Sequence, residues 1–467
     1  MTSKMILTNP TIGAAVALLF VALSCSSSNA TEPTEPGEEP QEETLTPPTV
    51  DNEEWCGVIK AEEYYGRKLS KLFYDLKYAS GAINSTTKAY TYFKLDNMNG
   101  IRCSIFGNDD APAHPSSGVV QASYYEKMIT SIKYAMIARG SEPLTIFASK
   151  KLEGTKTFPS WVKESDGLTV NPENYSKMML DFIKYMDSEG ITIDVLGIDN
   201  EIEYSKSGLE PDTYYATVTR LKERLTEAGL PIPLFIGPER YKVNNGWMET
   251  FFDNEEYHSS IDIYGMHYYP TQRDNFYEPL KVDLELKGDR EFWATEPHWN
   301  VDSSISSPYT DILHYAEDTI GAIWDQTDLG LDNLMWWQYS RDGNTRGYLI
   351  YNVTVPIFES QPIMVEDHDG WDIRQSGQLH TRAFRRDKTI IFYALNLCEN
   401  TSENENYTNY HFKVEGAKVA GTKASQRQWR DDAMEQGEES TINVYGGESI
   451  YLNLPSRSIT MLELTLE

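Results

Sequence analysis

Short apolar strands and amphipathic helices alternate eight times over residues 55–355 of this chain of 467 residues. The clearest helix is predicted to begin at Asn171, which can cap it, to carry Pro172 in its first turn and to end at Gly190. Such alternation is typical of parallel βαβ units, and eight of them predict an α/β fold, a closed (β/α)8 or TIM barrel. An open doubly wound sheet is the alternative. It usually carries a glycine-rich phosphate loop after a strand, and this sequence has no such loop.

The two ends of the predicted barrel have different patterns. At its start we expect a first strand over residues 55–61, followed by a helix over residues 69–79. After about residue 355 the helical spacing disappears, and short strands separated by turn residues run to an alternating stretch at 458–466. The pattern predicts a small antiparallel β domain over residues 356–467, packed beside the barrel.

The first 54 residues do not look like part of a folded domain. Residues 1–25 have a basic start at Lys4 and an apolar run that is short for a bilayer span, and they end at Ser24 and Cys25. A small residue before a cysteine resembles a bacterial lipoprotein signal, with Cys25 as the lipidated residue. Ordinary signal cleavage and free secretion is the alternative. Residues 26–54 are mainly Pro, Glu, Thr and Ser, which predicts a flexible acidic tether. We therefore expect a lipid-anchored protein of the cell envelope, on the outer membrane or cell surface.

The net charge of the chain indicates which classes of partner it can bind. The formal net charge of −30 disfavours nucleic acids and anionic membrane surfaces, so we expect membrane contact only through the lipid.

Besides Cys25, the cysteines are Cys56, Cys103 and Cys398, with no short spacing that would suggest a disulfide framework or a zinc site. Buried free thiols are favoured, and a bridge between Cys56 and Cys103 is the alternative. We expect a monomer with no metal and no other cofactor.

Two glutamates end predicted strands that face each other across the barrel mouth. Asn200 and Glu201 end the fourth strand, and Glu296 ends the seventh. Barrel enzymes place their catalysts at these strand ends. Two carboxylates about 5 Å apart would suit a retaining glycosidase, one as acid/base and one as nucleophile, while Asn200 holds a substrate hydroxyl. The alternative is a fourth strand that simply runs into a polar loop.

Other polar and aromatic residues lie near predicted strand ends. Arg102 lies on the second strand, and it could instead be an ion-pair partner in the core. His267 ends the sixth strand and could equally be a hydrogen-bonded core histidine. His298 follows Glu296, as either a substrate contact or a loop residue. Trp337 ends the eighth strand beside a tryptophan that must face the other way.

Taken together, these motifs resemble the clan A glycoside hydrolases, and most of all glycoside hydrolase family 30. That family has Asn-Glu at the end of its fourth strand, matched at 200–201, and a Pro-x-Trp segment after its third strand, matched at 159–161. Its His-x-Tyr is matched at 267–269, and its Ala/Ser-Glu at 295–296. The resemblance runs from about residue 55 to the C-terminus. The sequence departs from the family in lacking a glycine-rich first strand and in having Ile202 where the family has proline.

The resemblance implies a fold and a set of roles. The fold is a TIM barrel with a C-terminal antiparallel β-sandwich side domain. Glu201 would be the acid/base and Glu296 the nucleophile. The remaining implied roles are a bond from Tyr269 to the nucleophile, charge stabilisation by Arg102, and walls of the −1 sugar site from Trp161 and Trp337.

The expected function is therefore a retaining β-glycosidase that hydrolyses O-glycosidic bonds of an extracellular poly- or oligosaccharide. A non-catalytic glycan-binding lipoprotein of the cell surface is one alternative. A clan A hydrolase of another family is the second. The presence of both Glu201 and Glu296 favours an enzyme, because a binding module would tolerate the loss of either.

Overall fold

The computed structural model describes residues 46–48, 56–107, 112–152, 154, 157–202, 208–240, 246–268, 287–297, 319–336, 345–367, 379–398, 407–430 and 437–467. Four residues singled out in the sequence lie outside this part of the chain: Cys25, Tyr269, His298 and Trp337. The predicted signal segment also lies outside it. Among the described helices, none combines the length and the apolar character that a bilayer span requires.

Eight parallel strands form the first sheet, and they follow an initial strand β1 (Cys56–Tyr64) that belongs elsewhere. They are β2 (Lys71–Asp75), β3 (Gly100–Ile105), β4 (Thr145–Lys150), β5 (Val195–Gly197), β6 (Leu234–Arg240), β7 (Ile263–Tyr268), β8 (Glu291–Pro297) and β9 (Asn333–Met335). Backbone pairing runs continuously from β9 through β2 to β8. Between β8 and β9, the Asn333 side chain bonds the backbone N–H and C=O of Ala294 at 2.9 and 3.0 Å, which nearly closes the predicted barrel.

The helices surround this sheet. They are α1 (Thr86–Tyr90), continued by a π-helical turn (Thr91–Leu95), α2 (Glu126–Arg139), α3 (Pro172–Ser188), α4 (Pro211–Ala228), α5 (Gly246–Asp253), α6 (Glu255–His258), α7 (Gly321–Asp328) and α8 (Thr345–Thr354). The start of α3 is as predicted, because the Asn171 side chain accepts a hydrogen bond from the Asn174 N–H at 2.9 Å. Gly190 follows its end with φ +77°, a conformation that glycine adopts without steric cost.

The prediction for the start of the barrel is wrong. Residues 69–79 contain strand β2 rather than a helix, and β2 is the first barrel strand. Its residues Leu72, Phe73 and Tyr74 are all buried, because a parallel strand is covered on both faces. The resulting continuous apolar run lacks the alternation that marks a half-buried strand. The expected first strand at 55–61 is β1, which joins the second sheet.

The second sheet contains β1 and the strands that follow α8. They are β10 (Gln361–Asp367), β11 (Leu379–Arg386), β12 (Thr389–Asn396), β13 (Tyr407–Glu415), β14 (Lys423–Arg430), β15 (Glu438–Tyr445), β16 (Ser449–Leu454) and β17 (Ser458–Thr465). Hydrogen bonds close these strands into a barrel in the order β1-β10-β11-β12-β17-β14-β15-β16-β13. A separate β domain is therefore present, but the antiparallel sandwich is not confirmed. The closing pair, β1 with β13, is parallel.

The two sheets pack on each other through α7 and α8. The Arg382 guanidinium from β11 pairs with Asp328 at 2.7 Å and lies 5.2 Å from the ring of Trp324 in α7. The Tyr393 hydroxyl from β12 donates to the Asn352 carbonyl in α8 at 2.7 Å. Buried side chains of the second sheet also join the main apolar core of the first. The predicted packing of the β domain against the barrel is thus seen in these contacts.

The described cysteines are free and buried. Cys103 and Cys398 carry free thiols, as the sequence favoured, so Cys103 does not bridge to Cys56. Burial, together with the negative charge of Asp75, raises the pKa of Cys103 to about 12. These thiols act as small apolar side chains in the core.

Candidate active site

An apolar layer fills the lower interior of the first barrel and supports a polar layer above it. The apolar layer consists of Phe73, Phe147, Val195, Ile236, Ile263, Trp293 and Met335. Residues two positions further along a strand point the same way, so Asp75, Arg102 and Ser149 lie above this layer. Gly100 leaves the space below Arg102, since a Cβ there would come within 2.5 Å of the Phe73 ring. The barrel interior therefore presents charged groups toward the C-terminal ends of its strands.

Two irregularities in the strands turn acidic side chains into this layer. In β8, one extra residue separates Ala294 and Glu296, which pair with the consecutive residues Met266 and His267 of β7. In β6, an extra residue between Gly237 and Arg240 has the same effect for Glu239. A β-bulge reverses the side to which the following residues point. Because of these bulges, Glu296 and Glu239 both lie inside the barrel.

Glu296 is surrounded by nitrogen atoms. Its Oε2 atom lies 2.8 Å from Arg102 Nη1, 3.3 Å from Lys77 Nζ and 3.6 Å from His267 Nε2. Burial alone would raise the pKa of Glu296, but the neighbouring His267, Lys77 and Arg102 outweigh it and hold that pKa well below the usual range. Glu296 is therefore a carboxylate at neutral pH, the form in which it can attack a carbon atom.

Glu201 lies in the segment that follows β5, three residues beyond Ile198, and faces Glu296 across His267. Its backbone has φ +50°, and its N–H donates to the Glu239 carbonyl at 2.9 Å, which fixes this left-handed conformation. Its Oε1 atom is 2.9 Å from Nδ1 of His267. One carboxylate oxygen of Glu201 and one of Glu296 lie within 4.8 Å of each other. At 9% exposure Glu201 is the more accessible of the two acids, and Glu296 is 4% exposed.

Asn200 and Lys77 join the same cluster. The Asn200 carboxamide oxygen accepts a hydrogen bond from Lys77 Nζ, and both residues are buried. Lys77 follows β2, and its Nζ lies 3.3 Å from Glu296 Oε2. The Asn200 side chain is thus connected to Glu296 through a single ammonium group.

Arg102 connects Glu296 to a deeper set of acids. Its Nη2 is 3.2 Å from Glu239 Oε2, and its Nη1 is 3.8 Å from Asp75 Oδ2. Glu239 Oε2 also accepts a hydrogen bond from the Ser149 hydroxyl at 2.9 Å. Burial, partly offset by Arg102, raises the pKa of Asp75 to about 6. Arg102 therefore also has the ion-pair role that the sequence left open, because it pairs with the carboxylates of Asp75, Glu239 and Glu296.

The structure brings together five of the residues singled out in the sequence: Arg102, Asn200, Glu201, His267 and Glu296. Trp161 lies in a 3-10 turn (Ser160–Val162), where its Nε1 donates to the His114 carbonyl at 2.8 Å. Tyr269, His298 and Trp337 are outside the described residues, so their roles stay predictions.

The sequence did not reveal four members of the cluster: Asp75, Lys77, Ser149 and Glu239. Asp75 and Lys77 were missed because residues 69–79 were interpreted as a helix. Glu239 was missed because the apolar run of β6 ends at Gly237, before the bulge. The sequence did contain a signal for Asp75, Lys77 and Glu239, because each is a charged residue that follows an apolar run by one or two positions.

Glu201, His267 and Glu296 have the geometry of a metal site, although their spacing in the sequence predicts none. Arg102 and Lys77 already place positive charge on Glu296, so a divalent cation there would be repelled. The donor set therefore fits acid/base and nucleophilic chemistry better than metal binding.

Comparison with known proteins adds to this geometry. No family model matches the chain. The chain is 20% identical over 297 residues to glucuronoxylanase XynC of Bacillus subtilis (strain 168), a match that covers 61% of this chain. The match spans 64% of the relative's own length, so it leaves more than a third of that protein unmatched.

Solved structures share the fold over most of the chain. A glycoside hydrolase family 30 endoxylanase from Clostridium papyrosolvens C71 has a TM-score of 0.62 at 14% identity, covering 88% of this chain and 100% of that one. A family 30 subfamily 8 xylanase from Clostridium acetobutylicum gives 0.62 at 16% identity. An endo-β-1,6-glucanase gives 0.59 at 13% identity.

The chain resembles clan A glycoside hydrolases, and family 30 in particular. This confirms the resemblance drawn from the motifs. The likeness of the solved structures, at these identities, is one of fold. What the residues of this chain do has to be argued from their own geometry.

Proposed function

We propose that the chain is a retaining β-glycosidase that hydrolyses O-glycosidic bonds by double displacement on Glu201 and Glu296. The observation that carries this proposal is the separation of the two carboxylates, whose nearest paired oxygens are within 4.8 Å. Retaining enzymes hold their carboxyl groups about 5–5.5 Å apart, whereas inverting enzymes need about 6.5–9.5 Å to admit a water molecule. The separation of these oxygens in this chain supports the retaining arrangement.

In the first half of the reaction, Glu296 attacks the anomeric carbon while Glu201 protonates the departing glycosidic oxygen. The bond to the leaving group breaks and an ester between the sugar and Glu296 forms. Arg102 and Lys77 favour the ionised form of Glu296 that this attack requires. His267 contacts Glu201 at 2.9 Å and can hold its carboxyl group in place while the proton moves.

In the second half, Glu201 takes a proton from a water molecule as that water attacks the same carbon. The ester bond breaks and Glu296 leaves as a carboxylate. Two inversions at one carbon give net retention. Asn200 lies beside the nucleophile, in a position to hold a sugar hydroxyl during both steps.

The substrate we propose is a β-linked poly- or oligosaccharide outside the cell. The relatives with this fold are described as xylanases and as an endo-β-1,6-glucanase, so xylan and β-1,6-glucan are the first candidates. A non-catalytic glycan-binding protein is the second candidate function. The positive charges grouped around Glu296 argue against it, because binding alone gives no reason to keep a buried carboxylate ionised.

We also propose that the protein is held in the cell envelope by acyl chains on Cys25. This proposal rests on the sequence of the first 54 residues. Several acyl chains are needed for stable attachment. Fractionation of cells that express the full chain or Cys25→Ala tests it. The full chain should partition with membranes and carry a lipid mass on its N-terminal peptide, and equal recovery of both in the soluble fraction would argue for simple secretion.

The catalytic proposal is tested by substitutions that keep side-chain shape. Xylan, β-1,6-glucan and other β-linked glycans are incubated with the wild type, Glu296→Gln and Glu201→Gln, and the first product anomer is identified by NMR. The wild type should release the β-anomer first, and Glu296→Gln should lose several orders of magnitude in turnover. Glu201→Gln should recover on aryl glycosides with activated leaving groups, which need no proton.

Two results would overturn this reading of the site. Near-normal turnover by Glu296→Gln would remove the nucleophile assignment. Initial release of the α-anomer from a β-linked substrate would mean inversion, which the spacing of the two carboxylates does not support.

A further inference from the structure

Lys77 is held rigidly at the mouth of the first barrel. Its N–H donates to Asp75 Oδ1 at 2.8 Å, and its carbonyl accepts a hydrogen bond from the Ser104 hydroxyl at 2.5 Å. The preceding residue, Leu76, continues the pairing of β2 with β3 through a 2.8 Å bond from its N–H to the Arg102 carbonyl. The Lys77 side chain has no exposure to solvent. The backbone hydrogen bonds and the burial of the side chain together fix the position and the direction of the Lys77 ammonium group.

The ammonium group touches two residues of the proposed site. Its Nζ contacts the Asn200 carboxamide oxygen and lies 3.3 Å from Glu296 Oε2. Both partners are oxygen acceptors, so the nitrogen donates in each contact. A lysine that donates to Oδ1 of Asn200 also determines which way the carboxamide points. Nδ2 of Asn200 is left to donate elsewhere.

We propose that Lys77 is a positioning residue that fixes Asn200 and Glu296 relative to each other, so that the Asn200 amide donates to a hydroxyl of the sugar bonded to Glu296. The inference rests on the proposed function. It adds a residue from the end of β2, where the chain lacks the glycine-rich strand of family 30.

The charges around Glu296 make this role measurable. Within the described part of the chain, Glu296 lies beside Lys77, Arg102 and His267. Three further acids, Asp75, Glu239 and Glu201, pair with Arg102 or His267. Without Lys77, the buried carboxylates of Asp75, Glu239 and Glu296 would lose one of the two strongly basic groups, Lys77 and Arg102, that lie among them. An opposite charge within about 4–6 Å lowers the pKa of a carboxyl group by about 1–3 units, so its removal raises that pKa.

The simpler reading is a lysine that only neutralises buried acids and supports the fold. Burial and the nearby Arg102 lower the pKa of Lys77, while Glu296, Glu239 and Asp75 favour its ammonium form. A purely structural role would change stability without coupling Lys77 to Asn200. Lys150 is a matched control, since it is also fully buried at a strand end but its Nζ contacts Leu152 and Thr157.

The experiment compares Lys77→Met, Lys77→Gln and Lys150→Met in the full chain, with folding checked by circular dichroism. Carboxyl-¹³C glutamate labelling reports the titration of Glu296, whose resonance is assigned by its loss in Glu296→Gln. The pKa of Glu296 should rise by about 1–3 units in both Lys77 variants and stay unchanged in Lys150→Met. The acid limb of kcat/KM on xylan or β-1,6-glucan should move by the same amount.

A double-mutant cycle tests the link to Asn200. Lys77→Met should lower kcat/KM at neutral pH by about 10²-fold, the scale of a small misplacement in a catalytic site. Asn200→Ala should then cost much less in the Lys77→Met background than in the wild type. Lys77→Gln keeps a donor for Asn200 and should preserve more of this coupling than Lys77→Met. It also serves as the second variant if Lys77→Met does not fold.

The outcomes separate this inference from the proposed function. An unchanged Glu296 titration, or additive losses from Lys77 and Asn200, would overturn the role of Lys77 while leaving a working glycosidase. A wild type without turnover on any glycan would overturn the function instead. The Glu296 titration would still decide whether Lys77 acts on that carboxylate.

Discussion

Glu239 shows how tightly the residues beneath the proposed catalytic pair are packed. Its carboxylate bonds Arg102 and Ser149, and its backbone carbonyl holds the N–H of Glu201. Gly197 of β5 provides the space for that carboxylate, since a Cβ at this position would overlap the Glu239 side chain. One glycine thus lets a buried acid reach the arginine that contacts Glu296.

Gly197→Ala should therefore disturb both stability and activity. The added methyl group must displace a carboxylate that is bonded on its other side, and overpacking of this kind costs about 1–3 kcal/mol. Urea unfolding and kcat/KM on the same glycan measure the two effects. Gly321→Ala is the control, because among the described residues outside its own helix backbone no atom lies within 4 Å of the added Cβ at that position of α7. Equal, small effects of both substitutions would contradict the packing argument.

Among single residues, the sequence predicted Glu201, Glu296 and Arg102 and missed Glu239 and Lys77. The two catalytic glutamates follow from the rule that barrel catalysts lie at strand ends, and Arg102 was noted as a charged residue on the second predicted strand. Glu239 reaches the interior only because of a bulge in β6, and nothing in residues 234–240 marks which residue is the extra one. Lys77 needs the correct position of β2, which the apolar run at 72–74 concealed.

Among the elements, the segment around His114 connects β3 with the turn that carries Trp161. The His114 carbonyl accepts from Trp161 Nε1, and its ring Nε2 lies 2.8 Å from the Tyr125 hydroxyl. Burial lowers the pKa of His114 to about 4, so its ring is neutral in the folded protein at pH 7. The position of Trp161 therefore depends on a histidine that must stay uncharged.

This histidine should contribute to acid unfolding. Its pKa is lower in the folded state than the ordinary value of 6.5, so its stabilising effect is complete above pH 6.5 and is lost as the pH falls toward about 4. The difference corresponds to about 3 kcal/mol. In His114→Gln, the free energy of unfolding should fall less between pH 6.5 and 4 than in the wild type. Parallel curves for the two proteins, measured by urea unfolding at each pH, would contradict this.

Elements with strong local signals were predictable, and elements defined by distant pairing were not. The start of α3 follows from Asn171 and Pro172, and the end of α4 from Gly229, whose φ is +67°. By contrast, β1 pairs with β10 and β13, which lie some 300 residues or more away along the chain, in the second sheet. Spacing of apolar residues identifies a strand but does not identify its partner.

In the whole molecule, the two sheets form one folded unit instead of a barrel with an independent appendage. The second sheet takes its first strand from before the barrel, so the chain passes through both. Arg382 of β11 is almost completely buried against Asp328 and Trp324 of α7. Separating the sheets would leave the guanidinium of Arg382 without the carboxylate of Asp328.

We expect a single cooperative transition when the protein is heated in a calorimeter. Arg382→Ala should lower its midpoint strongly, because breaking a buried ion pair costs about 3–5 kcal/mol. Arg427→Ala is the matched control, since its pair with Glu439 is exposed and should contribute at most about 1 kcal/mol. Two separate transitions, or equal effects of the two substitutions, would show that the sheets unfold independently.

The central claim is that Glu296 is the nucleophile, and trapping the covalent intermediate tests it most directly. A 2-deoxy-2-fluoro glycosyl fluoride of the sugar found in the glycan screen carries a good leaving group, while its ring fluorine slows both steps. The ester should accumulate, and mass spectrometry of a digest should locate the added sugar. We expect the label on Glu296 in the wild type and no label in Glu296→Gln. A label on a different residue, or the same label in Glu296→Gln, would contradict it.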